Sequence, residues 1–291
     1  MEISDLRVFH AVARCGGMNR AASELNTVQS NVTTRVRQLE SELGCPLFER
    51  HSRGVSLTAA GRRLLPYARR VADLVDEAIQ ATRDDGRPTG GLTLGALETT
   101  TALRLSPVLA RYVKAFPEVD LVLRTGTTAE LITAVAERDV EGAFVCGPVA
   151  HEALTSVEVF QEELVMLARP GIESLSEVLS GANLRIVVLK AGCSYRQRLE
   201  AVLARRGVLS PRMLEFGTLE AIARCVSAGL GITMLPRHLI GTVWPDHAVS
   251  QHRLPADEGL VRTLFVRRRD AFESSALRAF LEMCGETAIA A

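Results

Sequence analysis

Short polar side chains near the N-terminus are grouped by helical spacing in a way that suits hydrogen bonding to DNA. Val32, Val36, Leu39 and Leu43 repeat at intervals of four, three and four residues, which predicts a helix with one buried apolar stripe. Its other faces then carry hydroxyl, amide and guanidinium groups, at Gln29, Ser30, Asn31, Thr33, Thr34 and Arg37. Groups of these types read base edges in a major groove. The alternative is an ordinary helical hairpin whose polar face is merely solvated.

The residues just before this helix predict a helix-turn-helix. We expect a short helix over residues 20–25, a tight connection at residues 26–27, and a cap on the reading helix from the Thr27 hydroxyl. Gly44 supplies the C-terminal stop. This arrangement turns the N-terminal half of the reading helix outward, where it can reach DNA.

Two further features favour DNA binding over a merely solvated helical hairpin: a predicted β-hairpin wing and a basic N-terminal region. Two short strands are predicted at residues 47–50 and 55–57, and the hairpin would place Arg50 and Arg53 against phosphate or a minor groove. The chain is neutral overall, yet residues 1–70 hold eleven arginines and six acids, about +5, which leaves about −5 on the remainder. A basic head on an acidic body is typical of a DNA reader with a separate second function.

The run from Ala21 to Ala68 resembles the N-terminal signature of the LysR-type transcriptional regulators. It pairs an alanine-rich helix with a glutamine-containing recognition helix and continues with the motifs LExxLG, LFxR, RxVxLT and AG. In two places the chain departs from the family pattern: Val28-Gln29-Ser30 replaces the usual Ser-Gln-Pro, and Thr33 replaces a common serine. The rest of the chain matches the family in length and layout.

This resemblance implies an α/β protein in three parts. They are a winged helix-turn-helix over residues 1–58, a dimerisation helix and hinge over 59–91, and an effector-binding domain resembling type 2 periplasmic binding proteins. We place one subdomain of that domain at residues 92–162 plus 265–291 and the other at 163–264, with crossovers near residues 162–163 and 264–265. The implied partners are double-stranded promoter DNA, a small-molecule effector and further copies of the chain, commonly a homotetramer. RNA polymerase is a further partner that the resemblance allows.

A long helix is predicted after the wing, capped by Thr58 and running to about residue 83. Apolar and small residues recur along it as a heptad seam, at Gly61, Leu64, Ala68, Val71, Val75 and Ala78. We expect a second copy of the helix to cover this seam, which gives a homodimer through residues 58–83. The alternative is a helix packed on its own domain.

Beyond the charged, proline- and glycine-containing boundary at residues 84–91, the chain alternates between apolar strands and helical patterns. This alternation predicts parallel sheets with helices on both faces. Strands are expected at residues 92–97, 120–124, 142–146, 184–189 and 231–235. Helices are expected at residues 108–116, 129–138, 195–206, 219–228 and 275–284.

Ligands of open parallel sheets bind beyond the carboxyl ends of the strands, which identifies candidate effector contacts. The candidates follow predicted strands or precede helices: Thr99, Thr100, Thr101, Thr127, Thr128, Cys146, Arg196 and Thr218. Hydroxyl groups, helix N–H groups and a guanidinium together suit a small carboxylate. For each threonine, plain helix capping is the alternative.

A cysteine offers a second hypothesis for regulation. Cys193 lies in a loop that leads into a helix, with Arg196 and Arg198 nearby, a setting that is expected to lower a thiol pKa. Some LysR-type regulators sense oxidants through a cysteine in a comparable loop, but they carry a second cysteine shortly afterwards. Here the next cysteine is Cys225. Thiol-based redox sensing through Cys193 is therefore retained as the alternative function.

The sequence gives no support for an enzyme, a metal-binding protein or a membrane protein. Hydrophobic residues make up 47% of the chain and charged residues 23%, which is ordinary for a globular protein. No phosphate-binding loop, nucleophile elbow or zinc-protease motif is present, and the histidines and cysteines lack metal-ligand spacing. We therefore expect no enzyme activity, no cofactor and no metal. No signal peptide or membrane-spanning run is apparent, so a cytoplasmic location without membrane attachment is expected.

Overall fold

The computed structural model describes residues 1–51, 54–179, 184–242 and 249–290, and only the backbone at residues 50, 242 and 287–290. The chain forms two compact units, Met1–Asp84 and Asp85–Ala291. Within the described ranges, no helix combines the length and the apolar composition needed to cross a membrane.

Four helices and a hairpin make up the first unit. In chain order they are α1 (Ile3–Cys15), α2 (Met18–Glu24), α3 (Gln29–Leu43), β1 (Phe48–His51), β2 (Gly54–Leu57) and α4 (Ala59–Arg83). The predicted stripe of α3 forms part of the core, since Val32, Val36 and Leu39 are fully buried. Leu43, the last residue of α3, is 40% exposed, because the helix ends there and Gly44 turns the chain away in the left-handed conformation.

The turn between α2 and α3 differs from the prediction in one detail. Val28 is the residue that caps α3, and it offers no side-chain hydrogen bond. The Thr27 hydroxyl instead accepts a hydrogen bond from the Asn31 amide at 3.0 Å. The prediction that Thr27 caps α3 is therefore wrong, because Thr27 lies one residue too early to be the cap.

Helix α4 begins as the sequence predicts, with the Thr58 hydroxyl accepting a hydrogen bond from the Gly61 N–H at 3.0 Å. Gly61 is required by close packing, because a Cβ atom there would lie 2.2 Å from the Leu47 carbonyl oxygen. Gly61 and Ala68 are buried within their own unit. The first half of the predicted seam thus packs on its own domain, as the alternative interpretation expected.

The second unit alternates strands and helices. The strands are β3 (Gly90–Ala96), β4 (Val119–Thr125), β5 (Gly142–Cys146), β6 (Leu154–Ala168), β7 (Arg185–Leu189), β8 (Arg212–Phe216), β9 (Thr233–Pro236), β10 (Ser250–Arg253) and β11 (Leu260–Arg268). The helices are α5 (Glu98–Thr100), which continues through a π-helical turn (Thr101–Leu105) into α6 (Ser106–Ala115), then α7 (Thr128–Ala136), α8 (Leu175–Leu179), α9 (Ser194–Arg205), α10 (Leu219–Ser227), α11 (Leu239–Thr242), α12 (Ala256–Gly259) and α13 (Ser275–Ala290).

Two lobes share the long strand β6. In lobe I the strand order is β4-β3-β5-β11-β6, with β3 parallel to both β4 and β5. In lobe II the second half of β6 pairs with β9 and β10, and β7 pairs in parallel with β8. A bridge between Ile186 and Ile232 joins β7 to the segment that leads into β9. The two-subdomain α/β architecture expected from the resemblance is confirmed.

The sheets are mixed rather than purely parallel. β11 is antiparallel to β5 and β6, and β9 and β10 are antiparallel to β6. The expectation of parallel sheets is wrong for these strands, because β6 leaves lobe I and β11 returns to it, so the two strands lie side by side in opposite directions. β6 passes through Glu162 and Glu163 without a break, whereas β11 already begins at Leu260, before the crossover predicted at residues 264–265.

Candidate functional site

Helix α3 presents the polar face that the sequence predicts. Gln29, Ser30, Asn31, Thr34 and Arg37 are exposed, and Thr33 is half-buried. Because the apolar stripe on the other side holds the helix against α1 and α2, these hydroxyl, amide and guanidinium groups are presented together on one surface. Such a surface can donate and accept hydrogen bonds at base edges.

Hydrogen bonds within the helix pre-order part of this face. The Gln29 amide donates to the Thr33 hydroxyl at 3.3 Å, which links two of the predicted base contacts. Arg35 points to the other side, where its guanidinium donates to Ser4 at 2.8 Å and to the buried Asp5 carboxylate at 3.0 Å. Sequence reasoning missed Val28, which is 65% exposed at the start of α3 and could contact a thymine methyl group.

The wing forms as an antiparallel hairpin in which β1 pairs with β2 from Phe48 opposite Leu57 to His51 opposite Gly54. Arg50 lies in β1, but its side chain is outside the described part of the chain, and so is the whole of Arg53. Their phosphate contacts stay predictions from sequence.

A cavity of about 150 Å³ opens between the two lobes of the second unit. It lies at the carboxyl ends of two parallel strand pairs, β3 with β4 and β7 with β8, as the rule for open sheets predicts. The lining residues are Leu97, Glu98, Thr99, Thr125, Gly126, Thr127, Leu189, Lys190, Cys193, Ser194, Tyr195, Phe216 and Gly217.

Three contacts hold the lobes together beside this cavity. The Lys190 ammonium lies 2.7 Å from a Glu130 carboxylate oxygen, and the Thr99 hydroxyl donates to the Tyr195 hydroxyl at 3.3 Å. Gly192 has a φ of +91°, and a Cβ atom there would lie 2.9 Å from the Thr127 hydroxyl. Lobe II therefore approaches lobe I so closely here that glycine is needed.

Helix N-termini at the cavity differ in how fully they are capped. At α7, the Thr127 hydroxyl accepts from the Glu130 N–H while the Glu130 carboxylate accepts from the Thr127 N–H, a complete capping box. The Lys190 ammonium and this N–H lower the pKa of Glu130. At α9 the cap residue is Cys193, whose thiol is a weak acceptor and gives no capping hydrogen bond. The Tyr195 and Arg196 N–H groups at the start of α9 face this thiol, so their only side-chain acceptor is a weak one.

Two of the eight predicted effector residues, Thr99 and Thr127, line the cavity. Arg196 does not, because its guanidinium donates to Glu215 at 2.7 Å and to Glu200 at 3.1 Å. The other five also lie away from the lining and have structural contacts or burial: Thr100 is buried, Thr101 donates to the Leu97 carbonyl, the Thr128 hydroxyl accepts from the Cys146 N–H, and Thr218 caps α10.

Sequence reasoning missed Glu98 and Phe216 as lining residues. Each lies at or just past the carboxyl end of a strand, so the rule that selected Thr99 could also have found them. Burial raises the pKa of Glu98, and the Leu219 N–H partly offsets that rise.

The cysteine hypothesis loses its chemical support. Burial raises the pKa of the Cys193 thiol, and the N–H groups of Arg196 and Tyr195 only partly offset it. The prediction of a lowered pKa is wrong, because the nearby Arg196 guanidinium is engaged by carboxylates while Cys193 is buried, at 8% exposure of the residue. Among the described residues, no cluster of three or more histidine, cysteine or acidic side chains is placed to hold a metal ion.

Two family models match the chain. Residues 3–62 match the model described as "Bacterial regulatory helix-turn-helix protein, lysR family", and residues 85–288 match the "LysR substrate binding domain". Each match falls within one of the two structural units.

Two regulators of Bacillus subtilis are similar over nearly the whole chain. The HTH-type transcriptional regulator YusT is 43% identical, covering 97% of this chain and 95% of its own length. The HTH-type transcriptional regulator GltR is 40% identical with the same coverage.

Solved structures share the fold at low identity. Full-length CbnR complexed with its target DNA has a TM-score of 0.68 at 23% identity, covering 99% of this chain and 100% of CbnR. Full-length OxyR from Pseudomonas aeruginosa has a TM-score of 0.71 at 18% identity, covering 99% of this chain and 94% of that one.

Proposed function

We propose that a small molecule bound in the interlobe cavity sets the affinity of this protein for promoter DNA. The premise is that the chain belongs to the LysR family of DNA-binding transcriptional regulators, which are not enzymes. The observation that carries the proposal is the pairing of an exposed polar α3 face with a separate unit whose cavity lies at the carboxyl ends of parallel strands. The ligand acts by binding one arrangement of the protein better than another.

Base reading is assigned to Gln29, Ser30, Asn31, Thr33, Thr34 and Arg37, and phosphate binding to Arg50 and Arg53. The exposure of the polar residues of α3 supports their assignment to base contacts. We add Val28, which is also exposed, as an apolar contact to the bases. Phosphate contacts hold the register, whereas base contacts provide sequence preference.

Selection of bound duplexes from a random DNA pool tests the DNA-binding part, with the full-length protein at about 150 mM salt. We expect an inverted repeat with a fixed half-site spacing, because a two-headed protein requires one. Sequence-blind, salt-sensitive binding would contradict the proposal.

Replacing Thr33 by alanine should relax base preference at one position of each half-site, where a mismatch ordinarily costs about 1–3 kcal/mol. The Gln29 amide also loses its partner, so the effect belongs to the pair. Thr133→Ala is the control, since Thr133 is an exposed threonine of α7 in the second unit, away from the cavity lining. Equal weakening on every duplex, measured by fluorescence anisotropy, would remove Thr33 from the reading face.

The homodimer is assigned to the α4 helices, residues 58–83. Tyr67 and Leu74 lie one heptad apart and are 64% and 56% exposed. They form an apolar stripe whose exposure to water is unfavourable. A second interface is inferred on lobe I, where Val113 on α6 and Val122 on β4 are exposed, and two interfaces are what a tetramer needs. RNA polymerase is the further partner that we infer at the promoter.

We assign the effector to the class of small molecules that carry a carboxylate group. The N-terminus of α9 and the hydroxyls of Thr127 and Ser194 supply the donors at the cavity, whereas the Thr99 hydroxyl already donates to Tyr195. Redox sensing through Cys193 is the less favoured function, because the thiol is buried and its pKa is raised.

A further inference from the structure

Val28 is an unfavourable residue for the unbound protein at the start of α3. It is 65% exposed and lies outside the apolar core of the first unit. It also occupies the N-cap position of α3, where its side chain accepts no hydrogen bond from the helix. Serine, threonine, asparagine and aspartate stabilise a helix from this position, whereas valine is among the poorest caps. Neither burial nor capping within the first unit accounts for this side chain.

The residues around Val28 do not replace the missing cap. The Thr27 hydroxyl accepts a hydrogen bond from the Asn31 side-chain amide at 3.0 Å rather than from a backbone N–H group. The Asn31 N–H donates to the Val28 carbonyl oxygen at 3.1 Å, which is a backbone contact that any residue at this position would make. The family pattern has a serine here, so this chain carries an apolar group where a cap would serve the fold better.

Val28 borders the polar face that we assign to base reading. Gln29, Ser30 and Asn31 follow it directly and are exposed. The N-terminal residues of a recognition helix are the ones that reach base edges in the major groove. An isopropyl group presented there meets one apolar substituent, the 5-methyl group of thymine, because the other substituents in this groove donate or accept hydrogen bonds.

We propose that Val28 makes the operator depend on a thymine in each half-site, through contact between its isopropyl group and the thymine 5-methyl group. This rests on the proposed function, in that α3 is the helix that reads the bases, and it adds which base is read and by which group. The contact withdraws both apolar groups from water, a favourable step that the exposed valine does not make in the unbound protein. This position thus exchanges helix stability for sequence preference.

The polar neighbours of Val28 cannot supply the same preference. Hydroxyl and amide groups bind the oxygen and nitrogen atoms of a base, and uracil carries the same oxygen and nitrogen atoms as thymine. Replacing thymine by deoxyuridine therefore removes the methyl group and keeps every hydrogen-bond donor and acceptor. A loss of affinity on this replacement identifies an apolar contact.

Uracil substitution in the operator selected by the full-length wild-type protein tests the contact. Each thymine of the half-site is replaced in turn by deoxyuridine, and binding is measured by fluorescence anisotropy. We expect one thymine at which the replacement weakens binding about fourfold for each half-site, which corresponds to one methyl group that is no longer buried.

Val28→Ser should then bind the thymine and uracil duplexes equally, and more weakly than wild type binds the thymine duplex. It should also raise the Tm of the protein without DNA by a few degrees, because serine caps α3. A purely structural valine would instead lose stability and affinity together. Val157→Ser is the control: the same change at a 56% exposed valine of β6 should leave the wild-type response to the methyl group intact.

The outcomes separate this inference from the proposed function. A half-site without a required thymine, an equal response of wild type and Val28→Ser to the methyl group, or a lower Tm in Val28→Ser would overturn the inference and leave base reading by the polar residues of α3 standing. A wild-type protein that binds every duplex alike would overturn base reading by α3 itself, and this inference with it.

Discussion

Asp5 shows how a single buried side chain ties α1 to α3, the helix that we propose contacts DNA. Its carboxylate is 1% exposed, accepts from the Glu2 N–H at 3.0 Å and pairs with Arg35 of α3 at 3.0 Å. One oxygen thus caps α1 while the other orients α3. This pair adds to the apolar stripe, which holds α3 against the core of the first unit and leaves its polar face outward.

Asp5→Ala should destabilise the first unit by about 1–3 kcal/mol, because it removes the cap and leaves the half-buried Arg35 guanidinium with only the Ser4 hydroxyl as a partner. Asp76→Ala is the matched control: Asp76 pairs with Arg7 at 2.9 Å, but both side chains are exposed, and such pairs contribute about 0–1 kcal/mol. Urea denaturation measures both. Equal losses in the two variants would show that burial of Asp5 has no energetic role.

At the scale of elements, helix α4 has two sides with different environments. One side packs Gly61 and Ala68 into the first unit, and another exposes Tyr67 and Leu74. A helix of 25 residues with an unpaired apolar stripe is stabilised by a partner that covers the stripe. The proposed dimerisation is therefore a property of the whole helix rather than of any one residue.

Leu74→Asp should raise the dimer dissociation constant at least about a hundredfold, because each protomer loses a buried leucine and gains a charge at the contact. Leu209→Asp introduces the same change at an 81% exposed leucine of the second unit. Sedimentation at several concentrations distinguishes them. A Leu74→Asp protein that sediments like wild type would place the dimer contact elsewhere.

At the scale of the whole molecule, the proposed regulation is a coupling between two binding events on two units. The first unit carries the reading face and the second carries the cavity, so any effect of the effector on DNA is an equilibrium linkage. Linkage is reciprocal: the factor by which effector changes operator affinity equals the factor by which operator changes effector affinity.

The selected operator should therefore change the effector dissociation constant by the same factor as effector changes operator binding, about 5–150-fold in typical cases. Calorimetry of the small carboxylate that binds most tightly, with and without operator duplex, gives one factor, and anisotropy gives the other. A scrambled duplex is the control. Two unequal factors would mean that the measured events are not linked binding equilibria.

Much of this molecule could be predicted from local sequence pattern. The apolar stripe of α3, the wing and the Thr58 cap of α4 need only periodicity and nearest neighbours, and the structure contains them all. The position of the cavity also followed from sequence, because ligand sites of parallel strand pairs lie at their carboxyl ends.

Tertiary structure decided what depends on partners distant in sequence. β6 was missed because its burial pattern changes midway, from one exposed face in lobe I to full burial in lobe II. Arg196 was expected to bind effector, yet Glu200 and Glu215 engage it, and Cys193 was expected to be acidic, yet burial raises its pKa. Sequence located the cavity and two of its lining residues, Thr99 and Thr127. Only the fold decided which charges are already neutralised there, because Coulomb energy and desolvation depend on distances in space.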